Sequence, residues 1–133
     1  MKVVRDDTRA AIILEWTFGK TPNQPYSGFV IVDGTRPVAA FIINEWNGGS
    51  LHLTATAKAP LTIGAARQVA RIVFGELGAA RVTAVTHETN SHAIRALGKL
   101  GFERECVAED HFGEGVNGVV FKLLRKRQKL TRL

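Results

Sequence analysis

Cysteine is almost missing from this chain. A single one, Cys106, in 133 residues leaves no partner for an internal disulfide and no thiolate set for a zinc cluster. A reduced, intracellular setting is the default expectation, with Cys106 read as a small buried residue rather than a nucleophile. Long apolar runs are also missing: none approaches the length of a membrane span. The opening "MKVVRDDTRA" lacks the apolar centre of a signal peptide. The expectation is a cytoplasmic protein with no membrane partner. There is no internal repeat, low-complexity tract or linker, so residues 1–133 are read as one domain. Acidic residues are missing from the last stretch, "KLLRKRQKLTRL". Its six Lys and Arg equal the net charge of +6. That basic tail, from about residue 125, is read as a solvated strand end with frayed residues, or as a weak contact for nucleic acid.

What is present is a globular composition, 45% hydrophobic and 23% charged. "DDTRAAIILEWTFG" reads as a helix with acids in its first turn and Ala11, Ile12, Leu14, Trp16 and Phe18 along it. "FVIVDGTRPVAAFIINEW" reads as two β-runs around the hairpin signal Asp33-Gly34. "LHLTATA" alternates, with Leu51, Leu53, Ala55 and Ala57 on one face and His52, Thr54 and Thr56 on the other. A helix follows, capped by Thr62 and stopped by Gly78, with a buried stripe of Ala66, Val69, Ala70, Val73 and Leu77. "ARVTAVTH" is the next strand and "NSHAIRALGKLG" the next helix. Two closing strands pair through a turn at Gly113–Gly118. The strand–helix–strand middle makes Leu51–Ala57 and Arg81–Thr86 parallel, with antiparallel hairpins on either side. The fold class is therefore α/β, a mixed sheet with helices on its faces.

Two segments carry chemistry. "LTIGAA" joins a strand to a helix, and free N–H groups at such a junction suit a phosphate. Gly64 and Ala66 allow close approach of an anion, or simply tight helix–sheet packing. The second segment is "NSHAIRALGKLGF", with Asn90, Ala93, Gly101 and Phe102 at fixed spacing and Leu97 and Leu100 packing between.

Together these segments resemble the GNAT acyl-CoA N-acyltransferase family, whose pattern is N-x-x-A-x-x-x-x-x-x-x-G-F after a strand and Q/R-x-x-G-x-G/A one helix earlier. The resemblance covers about Gly28 to Lys126. Leu61 stands where that pattern has Gln or Arg. The short N-terminal helix resembles abbreviated members, including ones carried by phages and prophages. The resemblance implies an acetyl-CoA site between diverging strands. Ala55, Thr56 and Ala57 would face the cofactor arm, and Ile63, Gly64, Ala65 and Ala66 would hold the pyrophosphate, with Arg67 nearby. Asn90 would cap its helix and offer its amide, with Ala93 beside it. Lys58 and Arg71 are further basic residues, Arg71 read as solvated surface. No metal is implied; the histidines show no ligand spacing.

The implied activity is acetyl transfer to a primary amine by direct attack, on a small-molecule or peptide acceptor, with a homodimer left open. Such transfer needs a deprotonated amine, a polarised thioester oxygen and a proton for the leaving thiolate. Family members often place a tyrosine where this chain has Leu97, and the one tyrosine, Tyr26, lies in an N-terminal loop. The candidates for acid–base work are therefore His87, Glu88, Ser91, His92, Glu45 and His111, with His52 and Glu109 behind them. Two alternatives stand beside this reading: a degenerate member that binds CoA or serves as an interaction module, and a basic nucleic-acid-binding domain using the tail and Trp16 or Trp46. No helix-turn-helix pattern supports the latter, and the tryptophans are expected in the core or at its edge.

Overall fold

The alternation read from the sequence becomes one seven-stranded sheet in the computed structural model, which describes residues 1–19, 23 and 25–131, with the side chains of Glu45 and Trp46 outside that description. The elements in chain order are β1 (Lys2–Arg5), α1 (Asp7–Phe18), β2 (Ser27–Asp33), β3 (Arg36–Asn47), β4 (Ser50–Ala57), α2 (Ile63–Ala70), β5 (Arg81–His87), α3 (Ser91–Lys99), β6 (Glu103–Ala108) and β7 (Gly118–Leu124). Strand order is β1-β2-β3-β4-β5-β7-β6. The β4–β5 pair is parallel, and the other neighbours run antiparallel. The mixed sheet and its parallel centre are as expected. β1 is an addition: four residues with only Val3 half-buried, too short and too polar in its flanks to show a period.

Alternation along the strands sorts the core into two layers. Phe29, Ile31, Phe41, Leu51 and Leu53 face α2 and α3 in the larger cluster. Val30, Ala40 and Ile42 face the other way, onto Ala10 and Leu14 of α1. One short helix covers that second face, so α1 must lie close. At Gly28 a Cβ would come within 2.8 Å of Ala10 Cβ and 2.9 Å of Asp7 Cα, and glycine alone permits that approach.

The start of α1 is pinned by carboxylates. The Asp6 side chain accepts from the Arg9 N–H at 3.0 Å and caps the helix. Asp7 accepts from the Gly28 N–H at 2.7 Å and pairs with Arg5 at 2.9 Å. The bond to Arg5, then that to Gly28, hold the Asp7 carboxyl below its ordinary value against the opposing effect of burial. A folded-state value below the unfolded one gives stability that is full above 3.8 and is lost as pH falls through the folded value. The Asp7 side chain is 44% exposed, so solvent screening keeps its ion pair under about 1 kcal/mol. Asp7→Asn is therefore expected to lower the melting midpoint by no more than about 4 °C at neutral pH. The gap to the parent closes in melts run below 3.8; a gap of constant size across pH would rule out the carboxylate as its source.

Several side chains depart from the sequence reading. Helix α2 continues as a π-helical segment, Arg71–Glu76, in which the Leu77 N–H bonds the Ile72 carbonyl five residues back. The wider turn rotates the stripe, so Phe74 enters the core at 2% exposure and Leu77 leaves it at 38%. Trp16 is 85% and Ile12 47% exposed, against the expectation of core packing. They sit one turn apart on the side of α1 turned from the sheet. Trp46 falls outside the described side chains. Cys106 is exposed rather than buried, because β6 is an edge strand whose residues are exposed from Glu103 to Val107. The basic tail is not frayed over Arg125–Thr131: the Arg125 N–H bonds the Ala80 carbonyl at 2.9 Å, Gln128 is buried and Leu130 packs on the core. No helix among the described residues is long and apolar enough to cross a membrane.

Candidate functional site

The site begins where β4 and β5 part. Their parallel register runs from Ser50↔Arg81 to Thr54↔Val85 and stops there, although β4 continues to Ala57 and β5 to His87. On its other edge β4 stays paired with β3 as far as Ala39↔Ala57. The Lys58 N–H bonds the Val38 carbonyl at 2.8 Å. Backbone groups of alternate residues point to opposite edges, so those of Ala55 and Ala57 point into the opening. Two side chains bridge it. The Thr86 hydroxyl donates to the Ala55 carbonyl at 2.8 Å, and the Asn90 amide donates to the Thr56 hydroxyl at 2.7 Å. The Asn90 carbonyl meanwhile accepts from the Ala93 N–H at 3.0 Å. Asn90 is thus both helix cap and strand bridge.

On the larger core's side of the sheet, α2 offers an N-terminus. Thr62 caps it: its hydroxyl accepts from the Ala65 N–H at 3.2 Å and its carbonyl from the Ala66 N–H at 3.0 Å. The N–H groups of Ile63 and Gly64 precede the helical ladder and remain as donors. Both residues are exposed. Arg67 and Lys58 are exposed nearby in sequence, and the Lys99 ammonium donates to the Leu61 carbonyl at 3.1 Å. Lys99 thus brings a cation from α3 to the residue just before the cap.

Past the parting strands lies an open cleft of about 320 Å³, lined by Thr17, Ala57, His87, Thr89, Asn90, Ser91 and His92. The C-terminal end of α1 meets the N-terminal end of α3 across it. His87 Nδ1 lies 3.2 Å from the Thr89 N–H and 2.6 Å from its hydroxyl. An amide N–H only donates, so Nδ1 accepts and the neutral ring carries its proton on Nε2. Among the described residues, the buried His92 Nδ1 has no hydrogen-bond partner. Beside the cleft, the Phe18 and Phe112 rings stack at 4.2 Å between centroids, and the His87 ring lies nearly parallel to both, 6.5 and 6.0 Å away.

The structure brings three of the six acid–base candidates together in the cleft lining and places the others outside it. His87, Ser91 and His92 line the cleft with Asn90 and Ala57. His111 stands at the rim, edge-on to Phe112 at 4.8 Å. Glu88 is exposed beside the cleft, its N–H bonded to the Asn117 carbonyl at 3.1 Å, and Glu109 is exposed in the turn after β6. Glu45, whose side chain lies outside the described residues, belongs to β3. It lies six residues along β3 from Ala39, the partner of Ala57, or about 20 Å at strand rise. His52 sits in the closed part of the β4–β5 ladder, opposite Thr83. Among the described residues, no group of three His, Cys, Asp or Glu is placed to hold a metal ion.

By sequence, no family model and no curated protein matches the chain. By structure, a chimeric spermidine N-acetyltransferase from Vibrio cholerae superposes with a TM-score of 0.66 at 11% identity, over 95% of this chain and 96% of that one. A GNAT-family acetyltransferase from Bacillus anthracis does so at 0.63 and 12% identity, over 96% and 98%. A ribosomal-protein-S5-alanine acetyltransferase from Vibrio fischeri gives 0.62 at 15% identity over 78% of this chain, which spans 64% of that protein's length. The fold is that of the GNAT acetyltransferases.

Within the GNAT fold the two departures from the family pattern acquire places. Leu97 is 3% exposed and lines a narrow apolar cavity of about 30 Å³ between sheet and helices, so it is a core residue. Leu61 is likewise buried, at 6%. Tyr26 packs against the α1 face and does not line the cleft. Thr17, Phe18, Thr86, Thr89 and Phe112 were missed by sequence reasoning. Thr86 and Thr89 flank a strand end feeding a capped helix, which is a usable signal. Phe18 and Phe112 come from elements 94 residues apart in number, and no local pattern joins them.

Proposed function

We propose that this protein is an N-acetyltransferase that uses acetyl-CoA and acts on a primary amine. The observation that carries the reading is the unzipped end of β4 against a helix N-terminus with spare donors, in a GNAT fold. Acetyl-CoA would supply the activated acyl group as a thioester. The chain's own groups fit it: Ile63 and Gly64 N–H for the pyrophosphate, with Lys99, Arg67 and Lys58 adding positive potential, and the Ala57 edge, past the Ala55 carbonyl that Thr86 occupies, for an amide-bearing arm. Strand-edge groups that find such partners no longer sit unsatisfied. The amine would enter the cleft from the side of α1.

Within that reading the cleft side chains divide the work. His87, with Nδ1 occupied by Thr89, is placed as a donor through Nε2 rather than as a base. Ser91, at the exposed start of α3, offers a hydroxyl where the helix dipole favours developing negative charge. His92 follows it and lines the cleft, a candidate to hold a proton taken from the amine. A second reading is favoured by one observation, the burial of Leu97: a protein that keeps the binding fold without a side-chain acid and does not turn over.

The test has two parts. Acetyl-CoA at one hundred times its dissociation constant is expected to stabilise the fold by about 2.7 kcal/mol, a rise of roughly 8–12 °C in melting midpoint for a chain of this size. A flat melting curve sinks both readings. Thiol release measured over a panel of amines then separates an enzyme from a binder.

A further inference from the structure

Two phenylalanines stand beside the cleft, outside its lining, and one of them, Phe18, packs in part on the smaller core cluster. Phe18 and Phe112 are half-buried, on the last turn of α1 and in the turn between β6 and β7. Their rings stack face to face, 4.2 Å apart and 10° from parallel. His87, which lines the cleft, has its ring within 17° of both. We propose that Phe18, Phe112 and His87 form the seat of the acceptor, and that this seat selects a primary amine carried on a flat ring by a short chain. The proposal rests on the reading of the cleft as the acceptor side of an acetyltransferase.

Three observations favour a flat acceptor over a polycation. Aromatic cages for cations close around the charge with ring faces from several directions; here three planes share one orientation, with the His87 ring to the side of the stacked phenylalanine pair. Among the described residues, the cleft lining carries no carboxylate to pair with a second ammonium, and Glu88, between two lining residues, is exposed beside it. The His87 ring is also held in place by two contacts to Thr89, so its plane is fixed before any ligand arrives. A preorganised stack adds affinity for another ring without an ordering cost. The cleft volume of about 320 Å³ is at the small end of ligand sites, which suits an arylalkylamine.

The test is a nuclear magnetic resonance titration of the full chain with 2-phenylethylamine, 2-cyclohexylethylamine and spermidine, without acetyl-CoA. The first two amines share a carbon skeleton and differ in flatness. The phenyl compound is expected to bind about three- to tenfold more tightly than the cyclohexyl one, with the largest shifts at Phe18, His87 and Phe112. Phe112→Leu is expected to remove that preference by weakening 2-phenylethylamine binding about three- to tenfold more than cyclohexylethylamine binding. Should that variant not fold, Phe18→Leu and the parent's own preference decide. Equal affinity for the two rings, tightest binding of spermidine, or shifts centred elsewhere would overturn the seat. The acetyl-CoA melting test stands apart from this one. Stabilisation by acetyl-CoA with no ring preference overturns the seat alone; ring preference without stabilisation keeps the seat and overturns acetyl transfer.

Discussion

Gly64→Asp is expected to make the protein more stable and a much poorer binder of acetyl-CoA at the same time. Gly64 is the second residue of α2, exposed, with no neighbour closer than 3.9 Å to a Cβ placed there. Replacing a helical glycine by aspartate, itself a weak helix former, gains about 0.3 kcal/mol, and a carboxylate in the first turn adds about 0.3–1 kcal/mol through the helix dipole. The melting midpoint of the unliganded protein should rise by roughly 2–5 °C. The same carboxylate would stand where a pyrophosphate is proposed to bind. Like charges about 5 Å apart near a protein surface repel by several kcal/mol at most, so affinity should fall about a hundredfold. Calorimetric titration and melting, run on one preparation, give both signs. A variant that is stabilised and binds normally would remove the phosphate role from α2, and one that is destabilised would show that the helix start is not as described.

Asn90→Ala carries the second large effect, this time on stability. It deletes the cap on the Ala93 N–H, worth about 0.5–2 kcal/mol. It also leaves the Thr56 hydroxyl, on a residue 5% exposed, without its donor, and a buried polar group left unpaired costs about 1–3 kcal/mol. A combined loss near 2–3 kcal/mol predicts a fall of roughly 6–12 °C in midpoint. Asn90→Ser separates the two parts, because serine caps as well as asparagine but is too short to keep the bridge to β4. Serine should recover about half of the loss. Equal falls for the alanine and serine variants would mean that the bridge, not the cap, dominates.

The sequence made the sheet legible because its signals are local. Asp33-Gly34 sits at the β2–β3 turn with Gly34 at φ 65°, and Thr62 and Asn90 cap the helices assigned to them. Leu77 and Trp16 were misplaced because periodicity assumes a uniform helix and assigns every large apolar side chain to a core. The π-helical segment breaks the first assumption. The second fails because α1 has only one sheet face to cover. The site was half legible. Asn90, Ser91, His92 and His87 lie within one short stretch and stay together in the cleft. Glu45 lies toward the end of β3 away from Ala39, and the sequence around it does not say which end of the strand meets the opening. Phe18 and Phe112 were invisible for the opposite reason: their contact exists only once the whole sheet has formed.

The π-helical segment Arg71–Glu76 has one more consequence. Such a turn is what remains when a regular helix absorbs a one-residue insertion without shifting what lies on either side. Thr62 and the start of α2 on one side, and Gly78 with β5 on the other, therefore keep their spacing only because the surplus residue is coiled into the wider turn. The distance between the phosphate-facing helix start and the strand leading to the cleft is thus set by a local count of residues per turn. A single deletion there would return the segment to regular α-helical winding and leave Gly78 and β5 in place relative to the start of α2.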